Sequence, residues 1–262
     1  MIFERLARAL HSDTPVALVT RLDGAHAGAK LLVLEDDAEG DLGTAGLNFA
    51  AAREARALLE VGETTMRTFG EGGEPVGMEV RLFIAAYAPK PVMYIFGAID
   101  FSRAMARIGK YLGYHVTVID ARPVFATKQR LPDADEIVVS WPDEFLSNAR
   151  VDKRTALIVL THDVKFDIPL LEVALRTDAG YIGAMGSRRT HANRIEELRR
   201  IGITDAELTR ISAPIGLDIG ARTPEETAIS IAAEIIALRE RRAGGRLSEG
   251  TLPVHNERTP AL

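Results

Sequence analysis

The stretch VMYIFGAIDFSRAM, Val92 to Met105, decides how the chain is read. Its opening run is apolar, Gly97-Ala98 interrupts it, and Phe101, Ala104, Met105, Ile108 and Leu112 then recur at the spacing of one helix face. This is strand, tight turn and helix, the layout of a nucleotide-binding β-turn-α. Such a turn takes one glycine to bend, a second to let pyrophosphate approach the backbone, and a third for helix-to-strand packing. Gly97 meets only the first need. Ile99 puts a branched side chain where phosphate oxygens would lie, and Asp100 brings negative charge to a helix N-terminus that would otherwise attract an anion.

From this stretch onward the pattern alternates strand with helix. YHVTVID, DEIVVS and TALIVLT are short, mostly apolar runs rich in β-branched residues, as expected of strands buried on both faces. IPLLEVALR and ANRIEELRRIG read as intervening helices, and AGYIGAMG as a further strand and turn. In ARTPEETAISIAAEIIALRERR, Thr223 stands as N-cap, Pro224 at the first helical position and Glu226 three residues after the cap. The buried stripe of that helix is expected to comprise Ala228, Ile231, Ala232, Ile235 and Leu238. The fold class that follows is α/β, a doubly wound parallel sheet.

Residues 1–88 differ. PVALVTRL, GAKLLVLE, TTMRTFG and MEVRLFIAAYA read as strands and TAGLNFAAAREARALLEV as a helix, which together make a small α+β unit. The two prolines of Ala88 to Pro91 favour extended backbone and mark a linker. The expected organisation is an α+β domain over 1–88, a doubly wound domain over 89–243 and a flexible tail over 244–262, where periodicity fades.

Composition narrows the functional classes. The 262 residues are 47% apolar and 26% charged, with a net charge of −5, so a sizeable core is available and no basic field recruits nucleic acid. No run approaches the roughly 20 apolar residues of a membrane span, and a cytoplasmic location is expected. Cysteine is absent, which removes disulfides, thiolate metal sites, cysteine nucleophiles and the usual ligands of iron–sulfur clusters. A metal site is not expected, because no second histidine lies at ligand spacing from His162.

Three groups at strand ends are candidates for binding. Asp120, 23 residues after Gly97, stands near the spacing at which an acid takes a ribose hydroxyl, and Arg122 beside it could hold a phosphate. His162 and Asp163 follow TALIVLT, and His162 could act as acid, base or ligand. Gly183, Gly186, Ser187, Arg188 and Arg189 combine exposed amides, a hydroxyl and two guanidinium groups, a cradle for phosphate or carboxylate. For each group the alternative is structural: a strand end, a capped turn, or solvated arginines. Charge makes the Gly97 turn the poorer anion site and the Gly183–Arg189 segment the better one.

These segments resemble the XdhC/CoxI family of maturation factors, which assist molybdenum hydroxylases such as xanthine dehydrogenase and CO dehydrogenase. The resemblance rests on the FGA turn, VTVIDARPVFA, LPDADEIVV, LIVLTHDVKFD, YIGAMGSRRT and APIGLDIGARTPEETAISIAAEII, spread over residues 92–240. The family's usual GAGHV turn corresponds to Gly97, Ala98, Ile99, Asp100 and Phe101, with three of five positions changed. The N-terminal half is similar only loosely, through GTAGLN at Gly43 to Asn48 and PVGMEV at Pro75 to Val80, where a cysteine-containing CGG is usual.

The resemblance implies an N-terminal domain followed by a Rossmann-like one. It also implies a role in receiving molybdopterin, the molybdenum cofactor, and passing it to a hydroxylase apoenzyme, as a cofactor chaperone rather than a catalyst. A sulfurtransferase is a further partner on that reading, and a second copy of the chain is a partner because two-domain folds of this size often pair through helices. Two other readings stay open at this point: an NAD(P)-binding oxidoreductase using Asp120 or Arg122, and a scaffold whose nucleotide site has decayed.

Overall fold

The computed structural model describes residues 2–75, 80–161 and 163–251. The chain divides into two compact units, Met1–Lys90 and Pro91–Leu262.

The first unit comprises α1 (Ile2–His11), β1 (Val16–Arg21), β2 (Lys30–Val33), β3 (Ala38–Gly40), α2 (Ala45–Val61), β4 (Thr65–Phe69) and β5 (Val80–Tyr87). Its sheet is antiparallel with order β3-β2-β1-β5-β4. Alternation along the strands sorts the core. Ala17, Val19, Leu31, Val33, Leu82 and Ile84 pack against α2, while Val16, Leu18 and Leu32 pack against Leu6 and Ala9 of α1. The amphipathic opening helix and the short β3 lie outside the elements expected from sequence.

The second unit comprises β6 (Val92–Phe96), α3 (Asp100–Tyr111), β7 (His115–Ile119), β8 (Glu136–Val138), α4 (Pro142–Asn148), β9 (Ala156–Val159), α5 (Val164–Leu175), β10 (Tyr181–Ala184), α6 (Arg188–Arg200), α7 (Asp205–Leu208), β11 (Ile211–Ser212) and α8 (Pro224–Arg239). All six strands are parallel, in the order β11-β10-β9-β6-β7-β8. Alternate strand residues enter two separate cores. Met93, Ile95, Val116, Val118, Ala156 and Ile158 meet α3 and α8, whereas Tyr94, Phe96, Ile119, Leu157, Val159 and Ile182 meet α4, α5 and α6. Helices therefore cover both faces, and the direction of winding reverses between β6 and β9. Open α/β sheets bind ligands at the carboxyl edge of such a reversal.

Three local details differ from the sequence reading. Helix α5 begins at Val164 rather than Ile168, because Asp163 caps it by accepting the Lys165 amide at 3.0 Å; Pro169 then falls inside the helix. As a structural residue Asp100 is expected to be the N-cap of α3; it is instead the first helical residue, and Ile99 occupies the cap position. In α8 the stripe through Ala228, Ile231, Ala232 and Ile235 is buried, but Leu238 is half exposed. The short α4 and α7 carry too few residues to show a period. Of the 244–262 tail, the described part includes one 3₁₀ turn at Leu247–Glu249, and 252–262 lie outside the described residues, as do Val76–Glu79.

Candidate functional site

The β6–α3 corner is built around its own hydrogen bonds. Gly97 has φ +101°, a region that a side chain opposes, and a methyl group on it would stand 3.0 Å from Thr161 Cγ2. Its amide donates to Ile119 O at 2.8 Å. The Ala98 amide donates to Asp120 Oδ2 at 2.7 Å, and the Ile99 amide to Ser102 Oγ at 3.3 Å, while Ser102 Oγ donates back to Gly97 O. All three turn amides thus have acceptors within the protein. Asp120 is almost fully buried and is further bound by the Arg122 amide, Nε and Nη2, each at 2.9 Å. Burial alone would raise its pKa, but the hydrogen bonds from Arg122 and from the Ala98 and Arg122 amides hold it below the usual carboxylate value.

This arrangement corrects two expectations. Asp120 does not present a free carboxylate to a ribose, because both its oxygens are engaged by the turn and by Arg122. Arg122 is not a free phosphate cation, because its fork grips Asp120 and its guanidinium stacks 4.5 Å from the Phe125 ring centroid. The sequence put both at the right strand end and gave no sign that they would pair with each other.

The β10–α6 corner is different. Met185 donates its amide to Val159 O at 2.8 Å, in the manner of Gly97, but the amides of Gly186 and Ser187 have no acceptor among the described residues. Gly186 has φ +148°. Ser187 caps α6: its Oγ accepts the Thr190 amide at 3.1 Å. Arg188 and Arg189 are exposed and make no ion pair among the described residues, and the first turn of α6 contains no acid. Two cations at the positive end of a helix are electrostatically unfavourable unless an anion joins them.

Gly183 has another role than the one expected. It lies inside β10, buried and paired with both Ile158 and Ser212, and a side chain there would collide with Ile215 and Tyr181. It is a packing glycine in the ladder rather than a loop donor. Tyr181 beside it donates its hydroxyl to Glu234 at 2.5 Å, and Glu234 also accepts the Gly216 amide at 3.0 Å, which ties β10 and the loop after β11 to α8. His162 lies outside the described residues. Asp163 is exposed and spends Oδ1 on its helix cap.

Beneath the β10–α6 corner stands a buried polar group that sequence reasoning left out. Thr161, at the end of β9, donates to Asp167 Oδ1, and Asp167 Oδ2 receives Arg194 Nε at 2.9 Å together with Nη2. Asp167 and Arg194 are 1% and 2% exposed. Arg194 Nη1 is buried without a partner among the described residues, and a methyl group on Gly186 would lie only 3.3 Å from it. A buried N–H left unsatisfied costs about 1–3 kcal/mol. His191, one turn earlier, has a buried Nδ1 in the same condition, and burial followed by the Arg194 charge pushes its pKa down. The available signal was positional: Arg194 stands four residues before the buried Leu198, on a helix stripe where an apolar side chain is the rule.

Known proteins place this architecture. The family model described as the XdhC Rossmann domain matches residues 93–235, and that described as the XdhC and CoxI family matches residues 9–70. The chain belongs to the XdhC and CoxI family. It is 33% identical over 160 residues to a Bacillus subtilis protein named as a probable xanthine dehydrogenase subunit, covering 61% of this chain and 46% of that protein. It is 29% identical over 163 residues to the molybdenum cofactor insertion chaperone PaoD of Escherichia coli, covering 62% of this chain and 45% of PaoD. The chain therefore spans about half the length of the curated relatives it matches. A crystal structure described as a xanthine dehydrogenase from Bacillus halodurans superposes with a TM-score of 0.66 at 26% identity, over 90% of this chain and 65% of that one.

One other region bears on binding. A cleft of about 400 Å³ between α3 and α8 is lined by Asp100, Arg103, Arg107, Pro224, Glu225 and Ile229; its mixed charges and the filled amides of the adjoining turn give it no bias toward an anion. Among the described residues no group of three or more metal-ligating side chains occurs, and no helix is long and apolar enough to cross a membrane.

Proposed function

We propose that the chain is an accessory protein for a molybdenum hydroxylase of the xanthine or CO dehydrogenase type, which binds the molybdenum cofactor, or a related phosphate-bearing ligand, and aids its insertion into the apoenzyme. In this reading residues 89–243 hold the ligand at the β10–α6 corner. The phosphate meets the Gly186 and Ser187 amides, the first turn of α6, and Arg188 and Arg189. The observation that carries it is that, among the described residues, the Gly186 and Ser187 amides have no acceptor and the neighbouring Arg188 and Arg189 no ion pair, in a chain with a relative named as a cofactor insertion chaperone. With no cysteine in these 262 residues, retention rests on hydrogen bonds and charge, not on a thiolate.

The partners of this reading are the hydroxylase apoenzyme, a sulfurtransferase and a second copy of the chain, and the role is that of a carrier, not a catalyst. NAD(P) is disfavoured at the β6–α3 corner, where Asp120 already takes the Ala98 amide. Protein purified from cells that synthesise molybdopterin is expected to release a phosphate-bearing pterin on denaturation, detected by mass spectrometry, and to speed reconstitution of an apo-hydroxylase. Release of no pterin, with no change in the reconstitution rate, overturns the reading.

A further inference from the structure

We propose that Arg194 is itself a ligand-binding residue: its buried Nη1 donates to an oxygen of a tetrahedral phosphate seated on the Met185-Gly186-Ser187 turn. This rests on the reading that the β10–α6 corner receives an anion, and it deepens that reading by naming a buried residue and the chemical class of the group it grips.

The geometry is specific. Asp167 occupies Nε and Nη2 of the guanidinium, fixing its plane and leaving Nη1 as the edge turned toward Gly186. Gly186 sets no side chain between Nη1 and the turn: even a methyl group there would stand 3.3 Å from Nη1 and 3.1 Å from Thr190 Cγ2. The Gly186 and Ser187 amides, also without acceptors among the described residues, belong to the same turn. The α6 N-terminus presents amides along the helix axis, and Nη1 reaches the turn from within the packed interior. A tetrahedral oxyanion has oxygens for both directions, whereas a planar carboxylate offers only two in one plane. Arg188 and Arg189, being exposed, supply attraction; Arg194, held by Asp167, supplies position.

The pairing also gives the site a second end. Asp167 is hydrogen-bonded by Thr161, whose methyl lies 3.0 Å from where a Cβ on Gly97 would stand, so the anion-binding arginine is braced against the crevice where the sheet reverses.

The test uses the wild-type chain of 262 residues labelled with ¹⁵N. The Nε–H of a buried, ion-paired arginine gives a protected signal that reports on its guanidinium. Titration with inorganic phosphate and with pyrophosphate is expected to shift the Arg194 Nε–H signal saturably, while acetate at the same ionic strength leaves it unmoved. Gly186→Ala is expected to weaken pyrophosphate binding, read by calorimetry, by roughly tenfold or more. Its thermal melt is recorded in parallel because of the positive φ, and the wild-type titration stands independently of that variant.

Saturable phosphate binding that leaves the Arg194 signal still overturns the inference while preserving an anion site at the exposed arginines. An equal response to acetate overturns the assignment to phosphate. Absence of any phosphate or pyrophosphate binding also overturns it, and pterin release from the purified protein then decides separately whether the carrier function survives.

Discussion

The β6–α3 and β10–α6 corners are the same device in two conditions. Each is a parallel strand, a glycine at positive φ and a helix whose N-terminus faces the carboxyl edge of the sheet. In the first, the turn amides end on Ile119, Asp120 and Ser102, and Asp100 leads the helix. In the second, the Gly186 and Ser187 amides have no acceptor among the described residues, two arginines lead the helix, and a third guanidinium has a buried nitrogen without a partner among them. A glycine-bearing turn thus does not identify an anion site by itself. What distinguishes the two is where the amides already point and which sign of charge the first helical turn carries.

The contrast breaks most severely at Asp167. Asp167→Ala removes the partner of a cation that is 2% exposed, and leaving that charge uncompensated is expected to cost about 3–5 kcal/mol, read by urea unfolding. Loss of less than about 1 kcal/mol would mean that Arg194 swings out to solvent, and the second corner would lose its preorganised donor.

The closed corner has a smaller vulnerability. Asp120→Asn retains the shape but turns one of two acceptor oxygens into an NH2 donor facing the N–H groups of Ala98 and Arg122, for an expected loss of about 1–3 kcal/mol at neutral pH. The pH dependence carries a definite sign. Because the Asp120 pKa is depressed in the folded protein, its contribution is complete above the ordinary value of 3.8 and disappears as the pH falls through the folded value. The wild type is therefore expected to lose stability below about pH 3.8 along a slope that the Asn variant lacks, measured by unfolding at stepped pH. Pyrophosphate binding should be the same in both proteins, because the closed corner takes no part in it.

Much of this was legible in the sequence for a physical reason. Strands buried on both faces read as apolar β-branched runs, and VTVID and ALIVL could belong to little else than a parallel sheet; the Thr223-Pro224 start of α8 declared itself through its cap. That the Gly97 turn is the poorer of the two for an anion was also readable, from Ile99 and Asp100. What escaped is which charged side chains pair with each other. Asp120 with Arg122, and Asp167 with Arg194 across 27 positions, are ordinary charged residues until the fold brings them together. Gly183 looked like a loop glycine because a glycine that permits close packing in a strand and one that frees an amide are the same letter.

The finest separation of the two corners comes from Arg188 and Arg189, where stability and binding should move in opposite directions. Cations in the first turn of a helix oppose its dipole, so Arg188→Gln with Arg189→Gln is expected to raise stability slightly, by about 0.3–1 kcal/mol in low salt, measured as an upward shift in Tm. The same change removes charge that faces a phosphate and should weaken pyrophosphate binding by roughly three- to tenfold, with a shallower salt dependence. At the β6–α3 corner the analogous neutralisation, Asp100→Asn, removes a favourable charge and should lower stability slightly, with no gain in anion affinity while Asp120 and Ser102 hold the Ala98 and Ile99 amides. If the two arginine substitutions changed stability and binding in the same direction, the arginines would be ordinary solvated side chains, and the difference between the corners would reduce to backbone geometry.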